Sequence, residues 1–386
     1  MNGNLRHLRV FLAVAQLGSV TRAAEQCNIS QPAVTQATSK LERLAGTALF
    51  RRSPQGVFAT PAGAALAERI RRAFALLDPA LAELSPRLPL TATAAQLQAL
   101  IAMREAENFT LAARRLGLAQ PTVHRAITQL EQEAARPLFE RTSYGMVATR
   151  PAQALAQAAR LAFAELAQAE ADLAEAAGHE VGRIVVGAMP LSRSHVLPRA
   201  IAGFRQRRPT LPIRVHDGPY DDLLHGLRRG EIDFLIGALR DPAPIGDVAQ
   251  EVLFHDSLAL VCGHAHPLLA GDPVTLADLA RFPWVVAAAG TPTRQHFDAL
   301  FAPLGAPPLR IVESGSMMLM RELLRETDHL GCISRLQVAP EFGYGTLALL
   351  PFELPQSARP IGLTLRADWM PTRAQNDFLA ALRALA

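Results

Sequence analysis

Apolar residues recur at helical spacing through the first half of the chain and in short runs through the second half. Leu5, Leu8 and Phe11 fall on one face of a helix near the start. From residue 183 onwards, β-branched runs such as 184–186 alternate with helical stretches. Because this alternation is typical of mixed sheets covered by helices, the pattern predicts a helical N-terminal half and an α/β C-terminal half.

One stretch of the helical half occurs twice, and the second copy lies 89 residues after the first. Each copy predicts two short helices joined by a tight turn, where Asn28 and its counterpart Gly117 both tolerate a left-handed backbone. Twelve positions are identical between the copies, which chance does not explain. In the first copy these are Thr21, Ala23, Ala24, Gln31, Pro32, Val34, Ala37, Leu41, Glu42, Leu49, Phe50 and Arg52.

The second helix of each copy has an apolar side and a polar side. In the first copy Ser30 can cap this helix, and Pro32 fits its first turn because the missing N–H does no harm there. The apolar side consists of Val34, Ala37 and Leu41, and the polar side of Gln31, Thr35 and Ser39. Short polar side chains that can reach base edges are what a helix-turn-helix needs in the major groove of DNA.

A longer helix is predicted after each copy. The first spans residues 62–84 with a heptad seam that we expect Pro79 to interrupt, and the second runs from Pro151 to about Gly178. The first seam consists of Leu66, Ile70, Ala73 and Leu77, and the second of Leu155, Ala159, Ala162, Leu166, Ala169 and Leu173. The regular second seam predicts that two chains pair over about 40 Å, whereas the alternative is a helix packed against its own domain.

Positive charge is concentrated in the N-terminal part. The 386 residues carry a net charge of +4, yet residues 1–60 hold seven Lys and Arg against two Glu, a net +5. Residues 90–150 hold seven Arg against five Glu, a net +2, and residues 181–386 are neutral. The first copy is therefore the better electrostatic match to the DNA backbone.

Cysteine content and hydropathy indicate the compartment. Three scattered cysteines, Cys27, Cys262 and Cys332, argue against a disulfide framework and fit a reducing environment. The first apolar run is broken by Gln16 and Gly18, and no window approaches 18 uncharged apolar residues. We therefore expect no signal peptide, no membrane span and a cytoplasmic location.

Both copies resemble the winged helix-turn-helix of LysR-type transcriptional regulators. The motifs that carry the resemblance are Ala-Ala at 23–24, Ser-Gln-Pro-Ala-Val-Thr at 30–35, Leu-Glu at 41–42, Leu-Phe-Arg-Arg at 49–52 and Thr-Pro-Ala-Gly at 60–63. The resemblance implies two all-α winged helix-turn-helix domains, at residues 1–62 and 91–150, whose matching positions contact DNA. These positions are Thr21, Gln31, Pro32, Thr35, Gln36, Arg51 and Arg52 in the first copy, and Thr110, Gln120, Pro121, His124, Arg125 and Arg141 in the second.

The second copy departs from the pattern at two informative positions. Ala119 replaces the capping Ser30, and Glu140 replaces Arg51. A lost cap and a new acidic residue weaken a DNA-binding face without abolishing it. Two interpretations therefore stay open for the second copy: a second DNA reader, or a degenerate duplicate that only packs or dimerises.

The C-terminal half resembles the effector-binding domain of the same family, an α/β two-lobed domain similar to the type 2 periplasmic-binding-protein fold. The implied segments are a helix and linker at 63–90, a linker or dimerisation helix at 151–179, and an effector-binding domain at 180–386, with lobe 1 at about 181–256 and 353–386 and lobe 2 at about 257–352.

An effector site is expected where helix N-termini follow the carboxyl ends of strands, because free N–H groups and the positive end of the helix dipole attract anions there. Arg193 adds a cation, so an anionic small molecule, such as a carboxylate, is the expected ligand. Each capping residue taken alone is more often only a helix cap. The candidate effector-binding residues are Pro190, Ser192, Arg193, Ser194, Tyr220, Thr291, Thr293 and Ser316.

Enzymatic motifs are not found. The Cys262-Gly263-His264-Ala265-His266 segment lacks a third ligand cluster for a metal, and no Gly-rich phosphate loop or nucleophile elbow is present. We therefore expect no cofactor, no metal and no enzyme.

The predicted function is that of a DNA-binding transcriptional regulator controlled by a small-molecule effector. We expect its partners to be double-stranded DNA with a pseudo-palindromic site, the effector, and further copies of itself in a homodimer or homotetramer. The alternative is an architectural DNA-binding protein whose C-terminal domain only oligomerises.

Overall fold

The computed structural model describes residues 4–143, 145–240, 246–271, 273–305, 308–354 and 357–385. It contains two compact units, the first made essentially of residues up to 183 and the second of the residues that follow.

The first unit repeats one order of elements, three helices, a β-hairpin and a long helix. The first copy contains α1 (Leu5–Leu17), α2 (Val20–Cys27), α3 (Gln31–Ala45), β1 (Phe50–Ser53), β2 (Gly56–Ala59) and α4 (Pro61–Leu84). After the short α5 (Leu88–Thr91), the second copy contains α6 (Ala94–Ala106), α7 (Phe109–Leu116), α8 (Gln120–Ala134), β3 (Phe139–Thr142), β4 (Gly145–Ala148) and α9 (Arg150–Ala176). We call α1–α3 with their hairpin the first head, and α6–α8 with theirs the second head.

Local chemistry explains the turn between the second and third helices of each head. The Ser30 hydroxyl accepts a hydrogen bond from the N–H of Ala33 and caps α3, and Asn28 has φ +55 in the turn before it. In the second head Gly117 takes the same left-handed conformation, and Ala119 gives α8 no side-chain cap. The turn chemistry expected from the sequence is confirmed in both copies.

One carboxylate ties each hairpin to the helix before it. Glu42 Oε1 accepts hydrogen bonds from the N–H groups of Leu49 and Phe50, at 3.0 and 3.1 Å. Glu131 Oε1 accepts the equivalent pair from Leu138 and Phe139, at 2.8 and 3.3 Å. Both heads therefore hold the start of the hairpin in the same way.

The buried apolar face of α4 continues past Pro79, whereas the sequence led us to expect an interruption of the seam there. Pro79 lies inside α4, which continues to Leu84. Proline removes one backbone hydrogen bond, but Leu77, Leu81 and Leu84 stay buried on one face of the helix. The burial of these leucines on both sides of Pro79 offsets the lost hydrogen bond.

Helix α9 packs against α4 of the same chain, which is the alternative to pairing between two chains that the sequence left open. The seam residues of α9, from Leu155 to Leu173, are at most 4% exposed in the single chain. They share one hydrophobic core with Leu66, Ile70 and the rest of the α4 seam. The physical reason is that α4 is long enough, once it passes Pro79, to cover α9.

The second unit contains two five-stranded sheets. Its strands are β5 (Ile184–Ala188), β6 (Ile213–His216), β7 (Phe234–Ala238), β8 (Val248–Asp256), β9 (Leu258–Cys262), β10 (Trp284–Val286), β11 (Ile311–Glu313), β12 (Leu330–Ser334), β13 (Ala348–Leu349) and β14 (Arg359–Arg366). The first sheet has the order β6-β5-β7-β14-β8 and the second β11-β10-β12-β9-β13. The chain enters the second sheet after β8 and returns to the first with β14.

Parallel and antiparallel pairs are mixed in both sheets. β5 is parallel to β6 and β7, whereas β14 is antiparallel to β7 and β8. The helices of this unit are α10 (Pro190–Ser194), α11 (Val196–Arg207), α12 (Tyr220–Arg228), α13 (Leu276–Leu279), α14 (Pro292–Phe301), α15 (Met317–Glu326), α16 (Arg335–Gly343) and α17 (Arg373–Arg383), with short 3-10 helices at Pro267–Leu269 and Ala302–Leu304. No helix in the described part of the chain combines the length and apolar character needed to cross a membrane.

Gly46 and Ala135 offer a matched test of the left-handed residue that follows α3 and α8. A Cβ on Gly46, at φ +64, would meet no atom within 4 Å, so Gly46→Ala should lower the free energy of unfolding by about 1 kcal/mol through backbone strain alone. Ala135 has φ +51 at the equivalent position, so Ala135→Gly should raise that free energy by roughly 0.5 to 1 kcal/mol. Urea unfolding of the full chain measures both, and changes of the same sign would contradict this account.

Candidate functional site

The polar side of α3 faces outward at the start of the helix. Gln31, Pro32 and Gln36 are exposed and Thr35 is half-buried, while the opposite face of α3 is buried in the first head. Thr21, on α2, is also exposed and lines a shallow surface concavity together with Gln31. The first head therefore presents its candidate base-reading residues at one end of α3.

The hairpin of the first head carries two cations beside that helix. Arg51 and Arg52 are exposed on β1, and the Arg51 guanidinium lies 6.0 Å from the ring centre of Phe58. Among the described residues neither arginine has a carboxylate within salt-bridge distance. Their charges are therefore available to phosphate groups.

The second head brings its candidate residues together on one surface. Gln120, Pro121, His124 and Arg125 line a shared concavity on α8. The His124 ring lies 5.1 Å from the ring of Phe109, and its Nδ1 is 3.4 Å from the Thr128 hydroxyl.

Two further candidates of the second head lie outside this concavity. Thr110 is exposed on α7, and Arg141 is exposed on β3 directly after the exposed Glu140. The positive hairpin of the first head is thus partly neutralised in the second.

A cavity of about 510 Å³ lies between the two sheets of the second unit. Its walls include Ala238 and Ile361 from the first sheet and Cys332 from the second. Several helices begin at the cavity, and their capping hydroxyls face their own backbone: Thr291 caps α14, Ser316 caps α15 and Ser334 caps α16. This volume suits a small organic ligand.

Arg359 is the buried cation of this cavity. Its side chain is 10% exposed, its Nη2 lies 3.4 Å from Asp256 Oδ2, and its Nη1 donates to the Thr293 hydroxyl. Its Nε is buried without a hydrogen-bond partner among the described residues. Burial lowers the pKa of Arg359, and the Asp256 carboxylate opposes that shift.

Tyr220 supplies a second buried donor. Its hydroxyl is buried and has no hydrogen-bond partner in the described structure, and its ring lies 4.6 Å from the Arg240 guanidinium. Burial raises the pKa of Tyr220, so the hydroxyl stays protonated at neutral pH. An unpaired buried donor is costly, and both Tyr220 and Arg359 line the cavity.

Five of the eight residues expected to bind the effector line the cavity, and three do not. Those that line it are Pro190, Tyr220, Thr291, Thr293 and Ser316. Ser192 is buried and its hydroxyl donates to the Ile236 carbonyl, Arg193 pairs with Asp217 at 2.7 Å, and the Ser194 hydroxyl donates to the Leu191 carbonyl.

Residues 192–194 do not line the cavity because of where α10 begins. The helix begins at Pro190 with Met189 as its N-cap, so residues 192–194 lie within the helix instead of capping it. Their side chains are used within the fold and do not reach the cavity wall.

Sequence reasoning missed Arg240, Arg359, Ser334 and Gln337, which all line the cavity. Arg240 follows the carboxyl end of β7, so the rule that ligands bind beyond such strand ends could have found it. Arg359 lies at the opposite end of its strand. It reaches the same edge only because β14 runs antiparallel to β7, and the sequence does not reveal that pairing.

Two family models match the chain. The model described as "LysR substrate binding domain" matches residues 177–386. The model described as "Bacterial regulatory helix-turn-helix protein, lysR family" matches twice, at residues 5–64 and 94–153.

Several curated proteins are similar over most of the chain. The HTH-type transcriptional regulator GalR of Pseudomonas putida (strain KT2440) is 36% identical over 384 residues, which cover 98% of this chain and 96% of that protein. The uncharacterized HTH-type transcriptional regulator YdcI of Escherichia coli (strain K12) is 33% identical and covers 70% of this chain and 89% of its own length. The alignment with GalR therefore extends over both heads.

Solved structures support the fold. A full-length OxyR variant from Pseudomonas aeruginosa aligns with a TM-score of 0.56 at 23% identity, covering 76% of this chain and 95% of that chain. CbnR, in a crystal structure described as complexed with its target DNA, aligns with a TM-score of 0.53 at 21% identity, covering 75% of this chain and 99% of that chain.

Proposed function

The chain belongs to the LysR family of transcriptional regulators, and from this premise we propose that it binds DNA through both heads under the control of an anionic small molecule. The observation that carries the ligand part of the proposal is the cavity of the second unit, with its buried Arg359 and the unpartnered Tyr220 hydroxyl. The curated relatives of this chain are transcriptional regulators and not enzymes.

In the first head we assign the base contacts to Gln31, Pro32 and Thr35. Their exposure at the start of α3 supports this assignment, because the first turns of a recognition helix enter the major groove. Gln36 meets the DNA backbone, and Arg51 and Arg52 hold phosphates from the hairpin. Thr21 adds a contact from α2.

In the second head the corresponding roles fall to Gln120, Pro121 and His124 for bases, and to Arg125 and Arg141 for phosphates. Thr110 is the counterpart of Thr21. The concavity that collects the four α8 residues supports a reading role over a purely structural one.

The charges of the cavity favour an anion. Arg359 and Arg240 contribute two guanidinium groups to the wall of the cavity. The N-termini of α14, α15 and α16 add backbone N–H groups and the positive ends of their helix dipoles. Asp256 already engages part of Arg359, and Nε remains for the ligand. A ligand carboxylate that accepts from either of these donors would satisfy a group that has no partner in the free protein.

Ligand binding can act as a switch because both sheets line the cavity. A molecule held by Tyr220 from the first sheet's side and by Ser316 from the second contacts both lobes, so its binding energy depends on how the lobes are arranged. A homodimer or homotetramer is also proposed, through surfaces other than the α9 seam, since α4 covers that seam.

Tyr220→Phe tests the effector proposal without removing a hydrogen bond from the free protein. Without ligand, the unfolding temperature of this variant should be unchanged or slightly higher than that of the wild type, because the lost hydroxyl had no hydrogen-bond partner. Its affinity for a carboxylate ligand should fall about tenfold. The measurement is a thermal-shift titration of the full chain with small carboxylates and the matched primary amides.

The exposed Tyr344 provides the control, because Tyr344→Phe should leave ligand affinity unchanged. Amides that stabilise the protein as well as the carboxylates do, or equal effects of the two Tyr variants, would contradict the anionic site.

Arg52→Gln tests the DNA proposal through salt dependence. Each phosphate contact contributes about 0.9 to the slope of log K against log salt, so this variant should reduce the slope by about 1. Arg207→Gln, an exposed arginine on α11, should leave the slope unchanged. The measurement is fluorescence anisotropy on a duplex that the full chain selects from random sequence. Equal slopes for wild type and Arg52→Gln would show that Arg52 does not contact a DNA phosphate.

A further inference from the structure

We infer that a single chain contains both halves of a DNA-reading pair: its two heads are related by an approximate two-fold axis and read two half-sites of unlike sequence. The inference rests on the proposed function in one respect, that α3 and α8 read DNA. It goes beyond that function because it assigns to one chain the two DNA-reading heads that would otherwise come from two chains. It also predicts a DNA site whose two half-sites differ in sequence and therefore do not form a palindrome.

The two long helices meet through equivalent seams. Leu66, Ala73 and Leu77 of α4 lie 89 residues before Leu155, Ala162 and Leu166 of α9, and all six are buried in one core. Two copies of one element that meet through the same face form an isologous contact. An isologous contact implies a two-fold relation between the partners.

Two hydrogen bonds between α4 and α9 show their relative direction. Arg69 donates to Gln168 at 2.9 Å, and Arg72, further along α4, donates to Glu165, further back along α9, at 3.2 Å. The helices therefore run antiparallel. In an antiparallel pair, a step of five residues forward from Arg69 on α4 corresponds to a step of five residues back from Gln168 on α9. These steps reach positions 74 and 163, which face each other and are 89 residues apart, so they are equivalent positions of the two copies. The pairing is thus centred on equivalent residues, as a two-fold axis requires.

The contacts at the two ends of the helix pair correspond to each other. The C-terminal part of α9 shares a concavity with the end of α3, including Leu173 and Leu44. At the other end of the pair, the C-terminal part of α4 meets the segment after α8, where Arg136 donates to the Glu83 carbonyl at 3.3 Å. Each long helix therefore reaches the opposite head, and the two heads lie at opposite ends of the helix pair.

Buried charges make the helix pair specific for one α4 with one α9. Arg69 is 1% exposed and is paired with Glu165 and Asp172, each at 3.0 Å. The position in α9 equivalent to Arg69 is Ala158, and the position in α4 equivalent to Glu165 is Leu76. Two α9 helices from different chains would bury carboxylates without the arginine, which is strongly unfavourable. The charges therefore favour the mixed pair that one chain already provides.

The two reading helices differ at some of their polar positions. Gln31 and Pro32 have identical counterparts in α8, but His124 replaces Thr35 and Arg125 replaces Gln36. A hydroxyl and an imidazole make different contacts with base edges. The two half-sites should therefore agree at the bases read by the shared residues and differ at the bases read by Thr35 and His124.

The test is a specificity profile of full-length variants on the duplex selected by the wild-type chain. Gln31→Ala with Thr35→Ala should relax base preference about tenfold in one half-site only, and Gln120→Ala with His124→Ala should do so only in the other. Gln98→Ala, an exposed residue of α6 outside both reading helices, is the control. The mass of the protein–DNA complex should give one chain for every two half-sites.

Each other outcome has a definite meaning. If the first pair of substitutions relaxes both half-sites and the second pair relaxes neither, the second head is not a reader and the inference is overturned while DNA binding by the family function stands. One chain per half-site would overturn it in the same way. If the wild-type chain selects no sequence at all, the proposed function itself fails.

Discussion

The antiparallel packing of α4 against α9 is the interaction on which the first unit depends. Each helix alone would expose an apolar seam to water, and in the first unit the two seams are buried in one shared core. The network of Arg69 with Glu165, Gln168 and Asp172 sets the register, since sliding the helices would leave a buried guanidinium without its carboxylates. Each long helix continues directly from one head, so fixing the helix pair also fixes the two heads.

Pairing within one chain explains which features the two copies share and which they do not. Features that hold the fold recur, such as the carboxylates Glu42 and Glu131 that bind the hairpin backbone. Some positions of the reading helices have diverged, such as Thr35, which corresponds to His124. In a pair of identical chains both reading helices must be the same, whereas a covalently joined pair allows each to adapt to its own half-site. The proposed effector cavity belongs to the second unit, where the Tyr220 hydroxyl and Arg359 Nε are buried donors without hydrogen-bond partners among the described residues.

The sequence predicted the elements better than their partners. Local chemistry sufficed for the turn at Asn28 and the missing cap at Ala119, because both depend on neighbouring residues only. The partner of α9 could not be predicted, since a heptad seam does not distinguish a helix of the same chain from one of another. Pro79 was misleading because the sequence shows the lost backbone hydrogen bond directly. It does not show the compensating burial of Leu81 and Leu84, which depends on contacts with distant parts of the chain. Arg359 was missed for a similar reason: its place in the cavity depends on the antiparallel pairing of β14, a long-range contact.

The most direct test of the central claim is whether α4 and α9 pair within one chain in solution. Spin labels on Ala75→Cys and Ala167→Cys, two exposed positions on these helices, would report their distance in full-length protein with Cys27 replaced by Ser. The account predicts a short distance whose signal amplitude is unchanged when labelled protein is refolded with a large excess of unlabelled chain. A signal that falls in proportion to the dilution would show that the helices pair between chains, and would contradict the account.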